Sequence, residues 1–356
     1  MSSFLNARYA GMHPYVPGEQ PHDRAYVKLN ANETSLPPSP AVRAALSDAL
    51  VNGLGRYADS HCMPLREAVA RHFGLTPDRV FAGNGSDEVL GFVFLAFFGG
   101  DARVCFPDVT YGFYRDYCST FGVGYREIPL RDDFTLDVDA FAEAEENVVI
   151  ANPNAPTGLC VGVDDVRRIA QAQPGRLVVV DEAYVDYGNR SCACLLGECP
   201  NLVVVQTMSK SRNLAGAHVG YALASAEVVS DLNDVKFSFD PFNLSAPTMA
   251  IGVAAMGDTD YLQECCDRVI AERERVTDGL RARDFELTDS HTNFVFARRD
   301  GLDAKAWNAG LRERGVLARH FDAPRTRDWL RVTIGTRDEM DAFLAATDGV
   351  LAELGL

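Results

Sequence analysis

Between residues 65 and 245 short apolar runs alternate with segments whose apolar residues recur every three or four positions. That patterning predicts helices at 65–73, 86–98, 111–121 and 163–171, and strands at 102–106, 124–128, 146–151, 176–181, 201–206 and 219–223. Such alternation argues for an α/β layout, a mainly parallel sheet covered by helices on both faces. After Pro241 and Pro247 the style changes. Residues 246–284 read as one long helical stretch with charges between the apolar positions. Strand-like pieces at 293–297 and 329–335 then flank a helix at 303–314, and a helix at 337–353 closes a smaller α+β unit. The first 35 residues are rich in Pro, Gly, Asn and His, with little periodicity, and predict an arm lying across the body instead of a core element. The expected division is an arm at 1–35, a large domain at 36–245 and a small domain at 246–356. Ser39 and Pro40 suit the cap and first position of the large domain's opening helix.

Composition narrows the function. Fifty acidic against thirty-four basic residues give a net charge of −16, which repels nucleic-acid backbones and anionic lipid surfaces. An anionic small molecule therefore needs a local set of arginines and backbone N–H groups. Residues 1–20 are polar and carry Pro14, Pro17 and Glu19 where a secretory signal would be apolar, so the nine cysteines are expected to be reduced, in the cytoplasm. Cys192, Cys194 and Cys199 cluster without a C-x-x-C pair or a nearby His, which argues against zinc. The longest apolar run, at 89–100, is too short for the roughly 20 residues of a bilayer span and reads as a buried helix.

The candidate chemistry sits where apolar runs end. G-N-G-S-D-E at 83–88 follows a strand-like V-F-A and opens an apolar helix, so free N–H groups and two glycines can cradle a phosphate, although Ser86 also suits an ordinary cap. N-P-N-A-P-T-G at 152–158 ends a second run, with X-Pro bonds that suit a sharp turn. V-V-V-D-E-A-Y at 178–184 delivers Asp181 and Tyr184, and T-M-S-K-S-R-N-L-A-G at 207–216 delivers Ser209 and Lys210. In open α/β sheets ligands lie beyond the carboxyl ends of the strands, so these segments predict one shared site.

This ordered set resembles the fold-type I aminotransferases that use pyridoxal 5′-phosphate, and within them the histidinol-phosphate aminotransferases. The likeness runs from P-Y-V-P-G at 14–18 and K-L-N-A-N-E at 28–33, through T-Y-G-F-Y at 110–114, to A-R-H-F at 318–321 and L-R-V-T-I-G-T-R at 330–337. The resemblance implies a large domain with a seven-stranded sheet and a smaller C-terminal domain. It implies Lys210 as the amine that bonds the cofactor aldehyde and then moves the substrate's proton, and Asp181 as the partner of the pyridine nitrogen. It casts Tyr111 as the platform on the ring, Tyr184 at the ring hydroxyl with Asn154 or else Asn152 as a second contact there, and Gly85, Ser86, Asp87 and Ser209 as the phosphate cradle. Tyr57 would reach the phosphate of a neighbouring subunit, which implies a homodimer with shared sites. Arg331 and Arg319 would hold substrate anions, and Tyr15 and Asn32 would close over the bound molecule.

Two departures from the family pattern stand out. Ala155 occupies the place before P-T-G where relatives carry an Asn, and His218 replaces an arginine that grips the phosphate. The implied reaction moves the amino group of L-histidinol phosphate to 2-oxoglutarate, in histidine biosynthesis. The alternatives are an aromatic amino-acid aminotransferase, a threonine-phosphate decarboxylase on the same scaffold, and a binding protein that has kept only the fold.

Overall fold

The computed structural model describes residues 4–6, 9 and 18–356. A seven-stranded sheet is built from Val80–Asn84 (β1), Val104–Pro107 (β2), Tyr125–Ile128 (β3), Asn147–Ala151 (β4), Val178–Asp181 (β5), Leu202–Thr207 (β6) and Val219–Leu223 (β7). Its order is β1-β7-β6-β5-β4-β2-β3. The pairs β3-β2-β4-β5-β6 are parallel, and β7 runs antiparallel to both β6 and β1. Period two sorts the central side chains onto two faces. Val148, Ile150, Val178, Val180 and Val204 enter one core, while Val149, Ala151, Val179, Val203 and Val205 enter the other. Both faces are buried, which is why these strands read as continuous apolar runs.

Helices Gly85–Phe97 (α1), Phe113–Phe121 (α2), Val163–Ala172 (α3) and Ala226–Phe239 (α4) follow strands of this sheet. Ser225 caps α4 through the Val228 N–H. The stretch from 246 is two helices, Ala246–Gly257 (α5) and Thr259–Arg281 (α6), because the Asp258 side chain takes the Tyr261 N–H and caps the second. By packing, α5 belongs with the large sheet. Met249, Ala255 and Met256 sit in its core, and a Cβ on Gly252 would press on Leu65 and Val219.

A second, antiparallel sheet holds Glu286–Leu287 (β8), Phe294–Arg298 (β9), Arg319–His320 (β10) and Leu330–Thr333 (β11), in the order β10-β11-β9-β8. Helices Ala304–Glu313 (α7) and Arg337–Leu354 (α8) pack with it, and α8 opens on a capping box between Thr336 and Glu339. The N-terminal stretch differs from the expected overlying arm. Val27–Lys28 pairs in parallel with Val316–Leu317, and Leu29 is 1% exposed within the second sheet's core. Among the described residues no helix is long and apolar enough to cross a membrane.

Candidate active site

The carboxyl ends of β4, β5 and β6 open into a cleft of about 620 Å3, counting the space continuous with solvent. Gly85, Ser86, Asp87, Tyr111, Asp181, Tyr184, Ser209, Lys210 and His218 line it, with Ala155, Ala183 and Thr207. The strand-end segments singled out in the sequence therefore meet at one place.

Close backbone packing makes the cradle. Gly85 opens α1 at φ +81°, and β7 approaches so tightly that a Cβ on Gly220 would collide with the Gly85 carbonyl and the Ser86 nitrogen. The first N–H groups of a helix have no intrahelical acceptor and carry the positive end of its dipole. Asn84 holds the cap position with no side-chain cap bond, and its own N–H goes to Glu88 Oε2 at 2.6 Å. Ser86 is thus not the cap but a lining residue of the cleft. Across from it, the Thr207 hydroxyl donates to Ser209 Oγ at 3.0 Å and takes the Ser209 N–H at 3.1 Å, which fixes the turn before Lys210. Ser211 donates to Asp186 immediately after it.

Asp181 ends β5 buried at 5% exposure. Tyr114 donates to its Oδ2 at 2.9 Å, while Oδ1 is buried with no hydrogen-bond partner among the described residues. Burial pushes the carboxyl up to about 6, with Tyr114 and the Ala183 N–H pulling the other way. Tyr111 donates to Asp87 at 2.9 Å and meets Tyr114 edge-on at 5.6 Å. Burial raises the Tyr111 phenol well above its usual range. Tyr184 accepts the Asn32 amide at 2.8 Å, and Asn32 is locked in turn by Thr333. Asn32 reaches the site through that tyrosine.

Two expected positions, Asn154 and Tyr57, do not line this cleft. Asn154 donates to Val109 O and Thr157 Oγ1, both at 2.9 Å, and accepts from Thr110 at 2.7 Å. Its amide is committed, and it lines the recess behind the turn, not the cleft. The Asn152 amide is likewise engaged twice by Val161. Both X-Pro bonds of this turn, Asn152–Pro153 and Ala155–Pro156, are cis. Tyr57 is 84% exposed, stacks on Phe242 at 4.5 Å and does not line its own chain's cleft. Tyr15 lies outside the described residues.

A second, outer cleft adjoins the first through Tyr111 and Ala155. Arg319 and Arg331 line it with Arg115, Phe321, Thr110 and Thr326. Sequence reasoning missed Tyr114, Thr207, Arg115 and Phe321; Tyr114, Thr207 and Phe321 lie inside motifs already noted, and Arg115 carries no local signal. Among the described residues no group of His, Cys, Asp and Glu could hold a metal, and all nine cysteines are free.

The model of the family described as Aminotransferase class I and II matches residues 24–346. The chain belongs to that family. As an aminotransferase it is 46% identical over 350 residues to histidinol-phosphate aminotransferase 2 of Gluconobacter oxydans, covering 98% of each chain. It is 43% identical to the histidinol-phosphate aminotransferase of a Marinomonas species, covering 97% of this chain and 99% of that one. Among solved structures it is similar to the histidinol-phosphate aminotransferase of Sinorhizobium meliloti in complex with pyridoxal-5′-phosphate, at TM-score 0.89 and 26% identity, with 99% of both chains covered.

Proposed function

We propose that this aminotransferase uses pyridoxal 5′-phosphate to move the amino group of L-histidinol phosphate to 2-oxoglutarate, giving imidazole-acetol phosphate and L-glutamate in histidine biosynthesis. The observation that carries the reading is the convergence of Lys210, Asp181 with its unpartnered Oδ1, and the Gly85–Ser86 cradle in one cleft beside an arginine-lined one. These residues fit the cofactor. The orphaned oxygen is suited to a protonated ring nitrogen, and the glycine-tight helix start to a phosphate. Bound there, the cofactor supplies an aldehyde to carry the amino group and a ring that takes up the electron pair left at the substrate carbon.

The chain's own residues do the rest. Lys210 would hold the aldehyde through its amine, and that amine, once free, would carry the proton from the amine-bearing carbon of the substrate. Asp181, its carboxylate held in place by Tyr114, would keep the ring nitrogen protonated. Tyr111 would pack on the ring, Tyr184 would donate to its hydroxyl oxygen, and Gly85, Ser86, Asp87, Ser209 and His218, which line the same cleft, would hold the phosphate. Arg331 and Arg319 take the substrate's anionic end, the phosphate in one half-reaction and a carboxylate in the other. The exposed Tyr57–Phe242 stack supports a homodimer in which Tyr57 completes the neighbouring site. The nine free thiols support a reducing, cytoplasmic setting.

The test is a single-turnover titration of the cofactor-loaded protein, following its visible band as L-histidinol phosphate or L-phenylalanine is added. Conversion by the phosphate ester at far lower concentration is expected. Preference for phenylalanine would reassign the enzyme to aromatic amino acids.

A further inference from the structure

Arg319 on β10 stands directly opposite Arg331 on β11. Directly opposed residues of an antiparallel pair share a face, with Cβ atoms about 4.5–5.5 Å apart, and like charges there are destabilising. Phe321, two residues beyond Arg319, lies against both cations. Its ring centroid is 5.7 Å from the Arg319 guanidinium carbon and 5.2 Å from that of Arg331. A second ring, Phe294, lies 5.3 Å from Arg331 on its own account. The aromatic face carries partial negative charge and attracts cations without neutralising them. Asp108, the acid among the residues lining the outer cleft, is held by Arg325 at 2.8 Å and by the Leu130 N–H at 2.9 Å. Phe321 is partly buried: it packs against the large core on one side and lines the cleft on the other.

We infer that Phe321 is a positioning residue that sets specificity, holding Arg319 and Arg331 side by side so that the outer cleft receives a dianionic phosphate monoester better than a single carboxylate. This rests on the proposal that the two arginines bind the substrate's anionic end. A carboxylate needs one guanidinium for a bidentate pair, whereas a phosphate monoester carries nearly two charges and oxygens enough for both. Arg331 keeps the Asn30 carbonyl at 3.3 Å and the Phe294 ring, so loss of the Phe321 ring loosens the pairing of the two cations. The second contact is lost first, and it is the contact only the phosphate uses.

The experiment compares the cofactor-loaded wild type with Phe321→Leu, which keeps apolar bulk, and Phe321→Tyr, which keeps the π-face. Steady-state kinetics use L-histidinol phosphate and L-phenylalanine as alternative donors, and inorganic phosphate is titrated as a competitor. The Leu variant is expected to raise KM for the phosphate ester about tenfold while kcat changes less than about twofold, with KM for phenylalanine within about threefold. Inhibition by inorganic phosphate should weaken in parallel, and the Tyr variant should restore both. Equal KM increases for the two donors, a fall confined to kcat, or no rescue by Tyr would overturn the inference. If the wild type does not use L-histidinol phosphate, the proposed function fails, and phosphate affinity alone decides: unchanged in the Leu variant, it overturns the role of Phe321, and weakened there but restored by Tyr, it upholds it.

Discussion

Tyr114 donates its hydroxyl to Oδ2 of Asp181, and Oδ1 is left buried in the cleft without a partner among the described residues. A buried carboxylate with one unsatisfied oxygen is costly, and its pKa, pushed up to about 6, records that cost. The arrangement is intelligible if a cationic N–H arrives with the ligand. Asp181→Asn keeps the volume and can still accept from Tyr114, but it carries no charge. Turnover is expected to fall about 10²- to 10⁴-fold, the range of a lost acid–base group, with unchanged circular dichroism. Tyr114→Phe should cost less, about tenfold, because it removes one of the supports of the charged form. Wild-type rates in the Asn variant would refute the role.

Lys210 has a simpler expectation. Lys210→Ala leaves the fold intact, since the side chain lies in the cleft and its flanks are fixed by Thr207 to Ser209 and Ser211 to Asp186. Activity should drop by at least about three orders of magnitude. Added methylamine is expected to recover a measurable fraction, which a purely structural lesion would not allow.

The cradle depends on Gly220 as much as on the residues that touch ligand. A methyl group there would lie 2.6 Å from the Gly85 carbonyl oxygen and closer still to the Ser86 nitrogen. These are backbone atoms, so β7 and α1 must part. Gly220→Ala is expected to lose about 1–3 kcal/mol of stability and to weaken cofactor binding at least tenfold. Equilibrium unfolding and cofactor titration check the two effects separately.

What the sequence disclosed follows from how local each signal is. Asp181 and Lys210 stand at the ends of apolar runs whose buried faces are recorded in consecutive residues, so pattern alone placed them at the sheet's carboxyl edge. Asn154 stands in an equally clear motif, yet its direction is decided by Thr110 and Val109, more than 40 positions away. Leu29 sits in a stretch without periodicity because the strand before it, Val27–Lys28, is only two residues long and pairs with Val316–Leu317, near the other end of the chain. The break at Asp258 was hidden because helical spacing continues through it, and only the cap bond to Tyr261 divides α5 from α6. Phe321 stands inside the A-R-H-F motif, yet its importance comes from the register that sets Arg319 opposite Arg331.

His218 raises a question of charge. The inner cleft is lined by two acids, Asp87 and Asp181, and by two basic side chains, Lys210 and His218. In the proposed reaction Lys210 serves the aldehyde and not the phosphate. Arg212, two residues on, is buried, donates to the Ala255 carbonyl and does not line the cleft. An imidazole offers a single donor per nitrogen and no permanent charge. His218→Arg is therefore expected to tighten cofactor binding about fivefold, the gain of roughly 1 kcal/mol that separates a charge-assisted hydrogen bond from a neutral one. An unchanged dissociation constant would mean that the helix start and the hydroxyls already satisfy the phosphate.

Glu182, the residue after Asp181, governs a pH dependence of stability that is separate from catalysis. Its carboxylate is 2% exposed and accepts from Ser191 Oγ at 2.6 Å, the Cys192 N–H at 2.6 Å and Gln206 Nε2 at 2.7 Å. None of these is a cation. Burial therefore dominates and raises the group from an ordinary 4.5 to about 7, with the three hydrogen bonds working against it. Between those values the folded chain holds a proton that the unfolded chain has released. Stability contributed by this group is thus greatest below about pH 4.5 and is lost as the pH rises to about 7. The loss approaches 3 kcal/mol at about 1.4 kcal/mol per pH unit. Glu182→Gln abolishes the titration, although its amide cannot serve all three donors and the variant starts less stable. The expected signature is a flatter dependence of unfolding free energy on pH between 5 and 7.5, measured by urea denaturation of cofactor-free protein. Equal slopes in variant and wild type would show that Glu182 stays ionised across this range, held by its three donors against the cost of burial.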